Sequence, residues 1–133
     1  METGSINSYL QRFFEQRKEV LLVYIFGSAA RNRLRFDSDL DLAIYCHSVL
    51  SSDVKRDWII EVGHMLGRSV DLVDLRTLHG RLLSEILQTG TLILNREPAA
   101  LASLLQQSVS WNADLRPYTL RMQKRQLERM VCE

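Results

Sequence analysis

Apolar residues recur with two periods along this chain, and the period changes mark its elements. Ile6, Tyr9, Leu10, Phe13 and Phe14 fall at i, i+3, i+4, i+7 and i+8, which predicts an amphipathic helix with one broad apolar face. Val20 to Phe26 is an unbroken apolar run, VLLVYIF, that stops at glycine. Its β-branched and aromatic content predicts a strand buried on both faces. Ser28 is placed to cap a short helix over Ala29 to Arg33. Leu40 to Cys46, LDLAIYC, alternates. Asp39, Asp41, Ala43 and Tyr45 share one face, and Leu40, Leu42, Ile44 and Cys46 the other.

The second half of the chain repeats the alternation of helix and strand. Ser51, Ser52 and Asp53 open a helix carrying Val54, Trp58, Ile59, Val62, Met65 and Leu66, with Gly67 suited to its end. Ser69 to Leu75, SVDLVDL, predicts a third strand. Thr77 is a candidate cap for a helix bearing Leu78, Leu82, Leu83, Ile86 and Leu87, closed by Gly90. Thr91 to Leu94 predicts a short edge strand. Pro98 suits the first turn of a helix running to about Trp111, and Pro117 separates it from a last helix over Tyr118 to Val131. Helices alternating with strands argue for a sheet layered with helices, an α/β (α+β) domain.

Length and composition narrow the classes. With 133 residues the simplest expectation is one domain spanning 1–133. Hydrophobic residues are 46% and charged ones 25%, the balance of a globular chain. A net charge of +1 announces no general field for nucleic acid or membrane. Cys46 and Cys132 form no framework and no CxxC or Cys/His ligand spacing, so Cys46 reads as packing. The N-terminus lacks the basic and apolar regions of a signal peptide. No apolar run approaches the roughly 18 residues of a spanning helix. A cytoplasmic protein is expected.

The chemistry is concentrated between Tyr24 and Tyr45. Gly27-Ser28 ends one apolar run, and ten residues later Asp39-Leu40-Asp41 heads the next. Carboxylates at i and i+2 on a strand point the same way, with Cα atoms roughly 6.5–7 Å apart. Such a pair can converge on two divalent ions about 3.5–4 Å apart. Mg²⁺ takes oxygen ligands and reaches proteins through one or two carboxylates plus substrate phosphates. Backbone N–H groups of the Gly-Ser turn can meet those phosphates. A third acid is available on the next strand, where Asp71 and Asp74 lie on opposite faces. Asp71 sits mid-strand, where an acid is costly unless paired or metal-bound. Asp74 lies near the strand end, where solvent or a turn N–H can serve it. Asp71 is therefore preferred.

These residues resemble the minimal nucleotidyltransferases of the DNA polymerase β superfamily, whose signature is Gly-Ser, ten residues, Asp-x-Asp and a later Asp in a hydrophobic strand. Gly27, Ser28, Asp39 and Asp41 match it residue for residue, and Asp71 matches the third acid. GSAARN…SDLDL is similar to the family's GSxARG…SDxDL, with Asn32 where glycine is customary. The resemblance covers Val20 to Leu94.

It implies a polymerase β-like fold, a small mixed sheet flanked by helices. Asp39, Asp41 and Asp71 would be the catalytic residues and the ligands of two Mg²⁺ ions, with Gly27 and Ser28 gripping the β- and γ-phosphates of ATP. Small stand-alone members are commonly antitoxins of HEPN RNase toxins, which they inactivate by transferring AMP from ATP to a tyrosine. The implied partner is thus a HEPN toxin, in a hetero-oligomer, with no membrane or direct nucleic-acid binding. Two alternatives stand beside this: a non-catalytic antitoxin that neutralises by binding, and a transferase acting on a small molecule.

Other polar residues read as ordinary surface. Arg31, Arg33, Arg35, Arg68 and Arg76 are expected to be solvated, with a phosphate contact the alternative for one of them. His47, His64 and His79 share no ligand spacing. From Arg116 onward, five basic side chains stand against Glu128 and Glu133, and Leu120, Leu127, Met130 and Val131 add an apolar stripe. That makes the helices of about 98–131 a candidate docking surface for a partner.

Overall fold

The computed structural model describes residues 3–27 and 39–113. The elements run α1 (Thr3–Glu15), β1 (Val20–Phe26), β2 (Leu40–Cys46), α2 (Ser52–Leu66), β3 (Val70–Asp74), a 3-10 turn (Leu75–Thr77), α3 (Gly80–Thr89), β4 (Thr91–Asn95) and α4 (Pro98–Ala113). The short helix expected over Ala29 to Arg33 and the last helix over Tyr118 to Val131 lie outside the described residues.

The four strands form one mixed sheet in the order β3-β2-β1-β4. β1 pairs antiparallel with both β2 and β4. β2 and β3 are parallel, and α2 makes the crossover that parallel neighbours require. β1 is interior and all seven of its residues are buried, which is why its sequence is apolar without alternation. β4 lies at an edge, as expected.

Each sheet face carries a pair of helices. On one, Ile6, Leu10 and Phe14 of α1 and Trp58, Val62 and Leu66 of α2 pack over Leu40, Leu42, Ile44 and Leu72. The Phe14 and Trp58 rings meet edge-on, 5.6 Å between centroids, a geometry that aromatic quadrupoles favour. On the other, Leu83, Ile86 and Leu87 of α3 and Leu104 of α4 cover Leu22, Tyr24, Phe26 and Ala43. The two faces of β2 thus divide as the alternation predicts. Among the described residues, no helix is long and apolar enough to cross a membrane.

The helix boundaries have identifiable causes. Ser51 Oγ accepts the Val54 N–H at the start of α2, and Gly67 ends it in the left-handed conformation at φ 66°. Two of α2's expected core residues are displaced. Met65 is 61% and Val54 36% exposed, because the helix meets the sheet through the stripe of Trp58, Val62 and Leu66, with Ile59 packed alongside. Thr77 does not cap α3. It closes the 3-10 turn by donating from Oγ1 to the Asp74 carbonyl, and α3 starts three residues later with His79 at its N-cap position and no side-chain cap bond.

Arg96, just past β4, holds the α1–β1 connection. Its guanidinium donates to the carbonyls of Glu15, Arg17 and Val20. At the other end of β4, Gly90 is required by close approach. An added Cβ would lie 2.5 Å from the Ile86 carbonyl oxygen and 3.1 Å from that of Ile25. Gly90→Ala is therefore expected to cost about 2 kcal/mol, read as a lowered midpoint in urea unfolding.

Candidate functional site

One row across the sheet organises the site. Phe26 of β1 pairs with Asp41 of β2, and Asp41 pairs with Asp71 of β3. Neighbouring strands lie about 4.8 Å apart, so the row spans roughly 10 Å. Gly27 follows Phe26 directly and takes φ 74°, a left-handed conformation that disfavours any residue with a Cβ. Asp39, exposed, immediately precedes β2. Period-two alternation sets Asp39, Asp41 and Asp71 on the face that carries Ala43, Tyr45 and Val73, at the end where β1 finishes and β2 and β3 begin.

The electrostatics agree with this placement. Burial first, then the negative charges of Asp71 and Asp39, raise the Asp41 carboxyl from 3.8 to about 6. None of the three acids makes an ion pair among the described residues. Nor do three or more His, Cys, Asp or Glu side chains among them stand close enough to hold a metal ion by themselves. The arrangement is a set of mutually repelling carboxylates with no described countercharge, the condition a bound cation relieves.

Asp71 and Asp74 part company, though not in the way their positions in the sequence suggest. Asp71 is exposed, because β3 is the edge strand of the sheet. Asp74 is the buried one, at 7% exposure. Its two carboxylate oxygens accept the N–H groups of Leu50 and Arg76, each at 2.9 Å. The turn N–H foreseen for Asp74 is present, and a second donor arrives from the loop after β2. Asp74 is thus committed to holding the chain, while Asp71 is left beside Asp41.

The remaining residues sort as follows. Ser28, Arg31, Arg33 and Arg35 lie outside the described residues. Arg76 is no solvated arginine. Its Nε and Nη2 donate to the carbonyls of Cys46 and His47, and its guanidinium lies 4.4 Å over the Tyr45 ring. Arg68 is half-buried. Cys46 is buried, and that burial, with Asp74 and Glu19 nearby, pushes its thiol up to about 12, so it packs rather than reacts. His47, His64 and His79 are all exposed. What the sequence did not reveal is the register that sets Gly27 one residue beyond the level of Asp41 and Asp71, since it arises from pairing between strands distant along the chain.

The model of the Polymerase beta, Nucleotidyltransferase family matches residues 8–99, which include the whole row. The chain belongs to that family. It is similar to protein adenylyltransferase MntA of Shewanella oneidensis, at 24% identity over 90 residues, which make up 68% of this chain and 65% of that relative. Two solved structures share the architecture. One is a toxin-antitoxin crystal structure with AMP-PNP, at TM-score 0.72 and 18% identity, covering 91% of this chain and 98% of that one. The other is a tri-AMPylated Shewanella oneidensis HEPN toxin in complex with its MNT antitoxin, at TM-score 0.69 and 17% identity, covering 94% of this chain and 98% of that one. At those identities the structural likeness speaks to the fold.

Proposed function

We propose that this nucleotidyltransferase is a cytoplasmic antitoxin that moves AMP from ATP to a tyrosine of a HEPN toxin and so neutralises it. The observation that carries the reading is the row of Gly27, Asp41 and Asp71 across three strands, with Asp39 at its head. The similarity to an adenylyltransferase, and to an antitoxin solved with an AMPylated HEPN toxin, supports a HEPN toxin as the acceptor.

In the reaction the tyrosine oxygen attacks the α-phosphorus of ATP. A new O–P bond forms, the bond from the α-phosphorus to the α–β bridging oxygen breaks, and pyrophosphate leaves. Gly27 lies on the β1 side and Asp71 on the β3 side, so the two flanks of Asp41 suit leaving group and acceptor. The left-handed turn at Gly27 lets the backbone approach the β- and γ-phosphates closely, with Ser28 as an added donor. Asp71 orients the tyrosine hydroxyl and accepts its proton. Asp39 and Asp41, with Asp71, hold Mg²⁺, which supplies charge neutralisation of the triphosphate when bound. The burial and the neighbouring negative charges that raise Asp41 fit such an ion. Mg²⁺ ordinarily keeps waters and substrate phosphates among its ligands, so the protein need not furnish a complete cage.

The test is transfer of label from α-labelled ATP to a purified cognate HEPN toxin. Label on a tyrosine of the toxin, with loss of its RNase activity, is expected. Full neutralisation without label would make the chain a binder, and label on a small molecule alone would move the acceptor elsewhere.

A further inference from the structure

Asp41 differs from the two acids beside it. Asp39 and Asp71 are exposed, while Asp41 is half-buried. Strand pairing fixes its four nearest neighbours on that face of the sheet: Asp39 and Ala43 along β2, Asp71 on β3 and Phe26 on β1. Directly opposed residues of antiparallel strands share a face, with Cβ atoms about 4.5–5.5 Å apart. Two of the four are exposed acids, and Ala43 offers one methyl group. Phe26 is therefore the one large apolar group among them. It is 7% exposed and packs in a cluster with Leu83, Ile86 and Leu87 of α3.

The two flanks act differently on the carboxylate. On the β3 side stands an exposed acid that repels it. On the β1 side an aromatic ring excludes water and fills the space into which the side chain could otherwise turn. A carboxylate bounded in this way keeps its oxygens toward Asp39 and Asp71, where cations would be shared. Exclusion of water from one flank also strengthens its attraction for those cations. Phe26 is itself held twice. Its ring packs against α3, and its backbone leads directly into the left-handed turn at Gly27. One residue thus sets the carboxylate and the phosphate turn in a common frame.

We propose that Phe26 is a positioning residue of the ion site, the wall that holds the Asp41 carboxylate toward Asp39 and Asp71. It acts through Asp41 and takes no part in the bonds made and broken. This rests on the function proposed above and adds the residue that makes the three acids converge.

Three variants of the full chain test it. Phe26→Val lowers the wall while keeping a strand-forming side chain, and Phe26→Leu restores most of its bulk. Leu22→Ala opens a cavity in the same strand and cluster, but at the level of Tyr45, about 13 Å along the strand from Phe26. Mn²⁺ is titrated calorimetrically into protein saturated with a non-hydrolysable ATP analogue. Ion binding should weaken about tenfold in Phe26→Val and return to within about threefold of wild type in Phe26→Leu. Leu22→Ala should melt lower yet bind ions as the wild type does. In initial rates, Phe26→Val should lower kcat and leave the KM for the toxin unchanged. A folded Phe26→Val with wild-type ion affinity would overturn the proposal. So would a Leu22→Ala that weakens ion binding as much, since general loosening of the core would then be the cause. Normal AMP transfer with unaltered ion binding in Phe26→Val would remove the wall and leave the enzymatic reading standing. The expected pattern of ion binding, with no AMP transferred even by the wild type, would do the reverse.

Discussion

Asp41→Asn is expected to make the metal-free protein more stable while reducing AMP transfer at least about a thousandfold. Burial and the neighbouring acids raise the Asp41 carboxyl from 3.8 to about 6, so the folded chain binds that proton more tightly than the unfolded one. Stability from this group is present in full below about pH 4 and is lost as pH rises to about 6. The side chain is only partly buried, and solvent screening reduces the cost of its charge to about 1 kcal/mol at neutral pH. Neutral asparagine removes that cost. Thermal unfolding from pH 3.5 to 8 should give curves for the two proteins that separate between pH 4 and 6. The variant should be higher by about 4 °C above that range. A variant that melts lower, or still transfers AMP, would remove Asp41 from the centre of the account.

The second large effect is a crossed pair on β3. Asp74→Ala deprives the Leu50 and Arg76 N–H groups of their shared acceptor, at an expected cost of about 3 kcal/mol. AMP transfer by the fraction still folded should be nearly normal. Asp71→Asn, at an exposed edge position, should leave the melting temperature within about 1 °C. Its turnover should nevertheless fall about a hundredfold or more. Urea unfolding beside initial-rate measurements on both variants reads the cross. If instead the Asp74 variant were stable and inactive, the third acid would have to be reassigned.

That pair also shows what the sequence could and could not carry. An acid in mid-strand needs a partner, which favours Asp71 over Asp74 on sequence grounds, yet the structure leaves Asp71 exposed and buries Asp74. Period two correctly separated their faces. Strand order decides which strand is an edge, and nothing local to SVDLVDL encodes it. Val20–Phe26 and Leu40–Cys46 were legible to the residue, because one is an interior strand with no polar position and the other alternates between two cores. Ser51 and Gly67 announced the ends of α2 through their own cap chemistry. Thr77 misled because a 3-10 turn uses the same hydroxyl that a helix cap would, and Asp74 fixes that turn through a contact from Leu50, 24 residues away along the chain. Gly27, Asp39 and Asp41 could be named as a group from spacing alone. Their shared level with Asp71 required the pairing of three strands.

The most direct test of the central claim is calorimetric titration of Mn²⁺ or Mg²⁺ into the protein saturated with a non-hydrolysable ATP analogue. Two ions per chain are expected for the wild type, with binding lost in the Asp39→Ala, Asp41→Ala double variant and weakened in Asp71→Asn. Undiminished ion binding in the double variant would contradict it.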